Sequence, residues 1–148
     1  MENENGLSER FEIKGGDFGR AGTISTKIKQ ILQEIGIPSS IITRTAIAAY
    51  EAEMNVVMYA EEAVLTLNLT PDAIHIRIDD KGPGIADIAL AMKEGFSTAT
   101  SKMREMGFGA GMGLPNIKRN ADKFELSSVP GKGTTYNIIL YLNSRESA

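Results

Sequence analysis

Cysteine and tryptophan are absent from this chain, and histidine occurs once, at His75. Without cysteine there is no disulfide framework and no thiolate metal site, and a lone histidine cannot build a histidine cluster around a metal. No apolar run approaches the roughly 20 residues that cross a bilayer. The opening Met-Glu-Asn-Glu-Asn lacks the basic and then apolar pattern of a secretory leader. Positive charge is not in excess either: 16 Lys and Arg stand against 19 Asp and Glu, a formal net charge of -3, so the chain offers a phosphate backbone no basic footprint. The absences argue against nucleic acid and membrane as partners. They leave a reducing, cytoplasmic setting as the expectation.

What is present is enough for one core. With 148 residues, 42% of them hydrophobic, a single domain over 1–148 is expected, with residues 1–7 frayed. Phe11 and Ile13 alternate with Glu12 and Lys14 as a short strand, stopped by Gly15-Gly16. From about Ala21, residues Ile24, Ile28, Ile31, Leu32 and Ile35 form one stripe of a helix that Gly36 and Pro38 end. Ser39 or Ser40 can cap a second helix, about Ile41 to Tyr59 or Ala60, apolar and small around most of its circumference, as a central helix lying across a sheet would be. Ala63, Leu65, Leu67 and Leu69, then Ile74, Ile76 and Ile78 after a Thr70-Pro-Asp turn, alternate as two adjacent antiparallel strands, with His75 on the outer face. A short helix over Ala86 to Lys93 leads into a Ser/Thr/Gly-rich stretch, Gly95 to Gly109, that reads as a lid or a linker. Leu114, Ile117 and Ala121 mark a further helix with Pro115 in its first turn, and Phe124 to Val129 pairs with Thr134 to Leu142. Helices alternating with hairpins give an α/β two-layer sandwich.

Three fragments within this frame can carry chemistry. In Glu51-Ala-Glu-Met-Asn55 the acid and the amide are four apart, one above the other on a helix face with apolar neighbours. Partial burial there is costly unless something satisfies both groups. A Mg²⁺ ligated by the Asn55 oxygen and completed by phosphate oxygens and water would do so. Glu51 would then be placed to take a proton from an attacking hydroxyl. The plainer alternative is a solvent-facing Glu51 with Asn55 bonded to backbone, and Glu53, on the far side of the helix, reads as a solvated charge. In Asp80-Lys-Gly-Pro-Gly84 a strand ends in a carboxylate that can accept from the exocyclic amine of adenine, where guanine presents a carbonyl. Gly82 and Gly84 let backbone lie against the base, although the same residues also suit a tight turn. Gly107, Gly109, Gly111 and Gly113 precede a helix whose N–H groups and dipole favour a triphosphate; a flexible loop is the alternative. The spacing is not the dinucleotide fingerprint, since its third glycine falls on Met112 or Leu114, and the Gly-Lys at 131–132 lacks the rest of a Walker A run.

With these motifs in order the chain resembles the GHKL ATPases, the group of gyrase, the heat-shock chaperone, histidine kinases and the MutL proteins. Glu51-x-x-x-Asn55 is similar to their N box, Asp80-x-Gly82-x-Gly84 to their adenine box, and Gly109-x-Gly111-x-Gly113-Leu114 to their phosphate-binding glycines. Gly131-x-Gly133-Thr134-Thr135 resembles the last box, in which a threonine, here Thr134, assists adenine recognition through water. Within the group the wording is most similar to small bacterial serine kinases of partner-switching pathways. The resemblance implies a Bergerat fold, with helices on one face of a mixed, mostly antiparallel sheet, and a site for ATP or ADP with Mg²⁺. It implies transfer of the ATP γ-phosphate to a STAS-type antagonist protein, or else nucleotide-dependent binding of a sigma factor or another regulator, with a homodimer as a further assembly. Residues 95–109 would be the ATP lid, where Lys102 or Arg104 could stabilise transferred charge. A self-contained histidine kinase is disfavoured, because the chain's one histidine lies on a strand and not on a phosphoacceptor helix.

Overall fold

A computed structural model of the chain describes residues 6–93 and 113–142. The proposed lid at 95–109, with Lys102 and Arg104, and the glycines Gly107, Gly109 and Gly111 lie outside the described residues. The elements are β1 (Leu7–Lys14), α1 (Thr23–Glu34), α2 (Ser39–Tyr59), β2 (Glu62–Leu69), β3 (Ala73–Lys81), α3 (Ile88–Ala91), α4 (Gly113–Asn120), β4 (Lys123–Val129) and β5 (Gly133–Tyr141). The strands form one sheet in the order β1-β2-β3-β5-β4. All the described pairings are antiparallel, in agreement with the mostly antiparallel sheet and the α/β two-layer sandwich expected.

Alternation fixes the register. Leu65, Leu67 and Leu69 stand opposite Ile78, Ile76 and Ile74, and Ile138 and Leu140 of β5 continue the same face. All are buried, so a slip of one residue would turn the whole set outward. Ile28 and Leu32 of α1, Ala48, Ala52 and Val56 of α2, and Leu114 and Ile117 of α4 close over that face. α2 packs against both α1 and α4. The outer face stays polar, with His75 Nε2 3.1 Å from Asn137 Oδ1.

Several boundaries move, each for a local reason. Leu7 lies within β1 opposite Leu69, so the ordered chain reaches into the segment expected to fray. Neither Ser39 nor Ser40 caps α2: the helix starts at Ser39 itself, and the Pro38 carbonyl accepts from the Ile41 and Ile42 N–H groups. α3 is a single turn, capped by Asp87 accepting from the Leu90 N–H at 3.0 Å. Ile35 follows the last residue of α1 and is exposed.

The main correction concerns Glu53. Its side chain is only 2% exposed. One oxygen accepts from the Gly22 and Ile24 N–H groups at 3.1 and 3.2 Å, and the other from the Ser25 N–H at 3.0 Å. α1 brings no capping side chain of its own, since Gly22 occupies that position with φ of 94°. A carboxylate from α2 supplies the cap, favoured by the positive end of the α1 dipole. Burying the charge costs several kcal/mol, and three charge-assisted bonds at about 1.5–3 kcal/mol each offset that cost. Glu53→Ala is therefore expected to cost about 3 kcal/mol, read as a lower urea midpoint at unchanged m. An unchanged midpoint would show that the cap does not hold α1 to α2.

Candidate functional site

The helix α2 places Glu51 and Asn55 one turn apart, both partly buried, over the start of α4. A Cβ built on Gly113 would lie 3.6 Å from Glu51 Oε1 and 3.6 Å from Asn55 Oδ1. The glycine thus keeps a gap between the acid–amide face and the first turn of α4. Glu51 is only partly exposed, and its Oε2 accepts from Asn116 Nδ2 at 3.0 Å. Asn55 acts on the phenol of Tyr136, a buried residue of β5. Burial pushes the Tyr136 phenol well above its ordinary range, and the charge of Asp80 adds to this. The Asn55 amide opposes the shift, and the Tyr59 charge raises it again. Oδ1 is the nearer Asn55 amide atom to a Cβ at Gly113, at 3.6 Å against 4.0 Å for Nδ2.

Asp80 and Asp79 separate by strand alternation. Asp79 faces out, where it accepts from Arg77 Nε at 3.0 Å and from the Thr135 hydroxyl at 3.0 Å. The Arg77 hydrogen bond is the main cause that holds its carboxyl below the usual range. Asp80 shares the inner face with Ile78, half-buried, and its Oδ1 accepts from the Thr134 N–H at 2.8 Å. Burial pushes the Asp80 carboxyl up; the Thr134 N–H opposes this and the Asp79 charge reinforces it.

The Gly82–Gly84 segment is more than a turn, because it is strapped to the β4–β5 hairpin. The Gly131 N–H donates to the Pro83 carbonyl at 2.7 Å and the Ile85 N–H to Ser128 Oγ at 2.7 Å. Ser128 Oγ is also 2.9 Å from Thr134 Oγ1. Gly84 has φ of 76°, and a Cβ there would meet the Val129 carbonyl oxygen at 2.5 Å, so only glycine fits. Thr134 is buried, which places it on the Asp80 side of β5, whereas Thr135 faces out.

The structure thus brings together Glu51, Asn55 and Gly113 at the helical layer, and Asp80, Gly82, Gly84 and Thr134 at the strand ends. Leu114 has its side chain in the core, so only its backbone can serve a ligand. Tyr136, Ser128 and Asn116 went unread in the sequence. Ser128 carried a signal, a polar residue at an inward position after Phe124 and Leu126. A cleft of about 640 Å³ along β1, lined in part by Arg10, Lys14, Arg20 and Lys27, includes none of the sequence-predicted site residues.

The donor set also bears on a metal. Among the described residues no group of three or more His, Asp or Glu side chains could cage an ion. The Asn55 oxygen beside Glu51 fits Mg²⁺, which prefers one or two protein ligands with phosphate oxygens and water.

Comparison with known proteins bears on the same residues. Residues 41–144 match the histidine kinase-, DNA gyrase B-, and HSP90-like ATPase family. The serine/threonine-protein kinase RsbT of Bacillus subtilis (strain 168) is 33% identical over 118 residues, which cover 77% of this chain and 83% of the relative. An anti-sigma F factor of Thermoanaerobacter sp. (strain X514) is 28% identical over 84% of this chain and 79% of its own length. Another, from Caldanaerobacter subterraneus subsp. tengcongensis, is 27% identical over 96% of this chain and 97% of its own. With the match spanning the motif-bearing elements α2, β3, α4 and β5, the chain belongs to the histidine kinase-, DNA gyrase B-, and HSP90-like ATPase family.

Proposed function

We propose that this chain is an ATP-binding regulatory protein-serine/threonine kinase of the cytoplasm that transfers the ATP γ-phosphate to a STAS-type antagonist protein. The observation that carries this reading is the meeting of Glu51, Asn55 and Gly113 at the start of α4. Asp80 accepts from the adenine amine, and the backbone of Gly82 and Gly84 lies against the base. Thr134 supports recognition through water. At the other end the backbone from Gly109 through Gly111 and Gly113 to Leu114 cradles the phosphates. Asn55 would hold Mg²⁺, which neutralises the charge that develops on the phosphate oxygens. Glu51 takes the proton of the partner's seryl or threonyl hydroxyl as its oxygen bonds to the γ-phosphorus and the bond to the ADP oxygen breaks. A base so placed contributes about 10²–10⁴-fold. The relative described as a serine/threonine-protein kinase supports this reading.

A second reading follows from the relatives described as anti-sigma F factors. There the nucleotide state sets affinity for a sigma factor or another regulator, and transfer is slow or absent. Incubation with γ-labelled ATP and recombinant STAS-domain proteins separates the two. Label on a partner Ser or Thr is expected; a nucleotide-dependent complex without label would select the second reading, and phosphate release alone would leave an ATPase. Glu51→Gln should abolish transfer while calorimetry still shows ATP binding, and persistent transfer would remove Glu51 from the mechanism.

Asp80 gives a test of opposite sign for stability and binding. A carboxyl whose folded-state pKa is raised favours the fold below its unfolded pKa and loses that contribution as pH rises through the folded value. At pH 7 the ionised Asp80 therefore costs stability. Asp80→Asn keeps an acceptor for the Thr134 N–H and sheds the charge, so its Tm at pH 7 should equal or exceed that of the parent while adenine nucleotide binding is lost. Any gain in Tm should vanish as pH falls to about 4. Lower Tm at pH 7 with binding retained would contradict the assignment.

A further inference from the structure

We infer that Asn116 is a positioning residue for the Glu51 carboxylate, and that the first turn of α4 links the phosphate seat at Gly113 to that carboxylate. The inference rests on Glu51 as the base in the proposed reaction. The two Glu51 oxygens have different surroundings: Oε2 accepts from Asn116 Nδ2 at 3.0 Å, while Oε1 is the oxygen beside Gly113. Asn116 holds one oxygen and leaves the other toward the site.

The orientation of the Asn116 amide is determined by its partners. Arg119 Nη1 donates to Asn116 Oδ1 at 2.8 Å. Arginine only donates and a carboxylate only accepts, so a single amide orientation satisfies both neighbours. The interposed amide also has a chemical consequence. A guanidinium in direct contact with Glu51 would stabilise the charged carboxylate and weaken it as a proton acceptor. Asn116 restrains the carboxylate with a neutral donor and keeps the Arg119 charge one amide further away.

Asn116 lies three residues after Gly113 in the same helix, so the two stand on neighbouring faces of one turn. A phosphate drawn to the N–H groups at the start of α4 and the amide that holds Glu51 therefore move as one piece. Seating the nucleotide and aligning the base become a single event.

Kinetics with γ-labelled ATP and a recombinant STAS-domain protein test the inference in the full chain. Asn116→Ala and the isosteric Asn116→Asp are both expected to lower kcat about 10- to 100-fold, the usual penalty for a misplaced reacting group. KM for ATP and Tm should stay close to parental values. Any residual transfer by Glu51→Gln should be no slower when Asn116→Ala is added, because Asn116 acts through the carboxylate. Parental kcat in both Asn116 variants, with Glu51→Gln inactive, would overturn the positioning role. If Glu51→Gln itself stays active, the base assignment fails separately. The contact is then decided by NMR: the Asn116 side-chain NH₂ resonances should shift in Glu51→Ala and on addition of Mg·ADP. Resonances unmoved by both would overturn the linkage.

Discussion

A carboxylate at 2% exposure is tolerable only where donors surround it, and Glu53 finds its donors at the first turn of α1. That bond set fixes the rotation of α2 about its own axis. Successive residues of a helix turn by about 100°, so a residue two positions away points to nearly the opposite side. With Glu53 locked onto α1, Glu51 must face α4 and Asn55 must sit one turn above it. The structural carboxylate and the one proposed as the base are thus set by a single helical rotation. The same restraint keeps the acid–amide face over Gly113.

The second half of the site is built on strand ends and held by the hairpin between β4 and β5. Asp80, Thr134 and Ser128 belong to three strands, and hydrogen bonds across them make a rigid corner at the Gly82–Gly84 backbone. Tyr136 stands between the two halves, its phenol feeling both the Asn55 amide of α2 and the charge of Asp80. In the proposed reaction the adenine would be read at the corner and the phosphates handled at the helices.

Much of this was legible in the sequence because it depends on period. Alternation gave the inner faces of β2 and β3 and set His75 outside, and the spacing to Gly82 and Gly84 singled out Asp80. The four-residue spacing put Glu51 and Asn55 on one face. Period also set Glu53 apart from Glu51, but it carries no information on what stands opposite a residue, and another helix terminus stood there instead of water. The hint lay elsewhere, in Gly22 at a position where Ser, Thr or Asp would cap α1. Tyr136 follows the alternation of Ile138 and Leu140, a pattern that marks a core face and gives nothing local to mark its hydroxyl. Asn116 owes its role to an acid on another helix, a pairing that spacing within α4 cannot reveal.

In the proposed function adenine nucleotide and magnesium meet at these two halves at once. Amide NMR of the uniformly ¹⁵N-labelled chain, titrated with ADP in saturating magnesium, tests that claim most directly. The prediction is saturable shifts at Gly82, Gly84, Thr134 and Gly113 together, with His75 and Asn137 on the outer face unmoved and GDP producing none of them. Shifts confined to one half, shifts on the outer face, or an unchanged spectrum at millimolar ADP would contradict it.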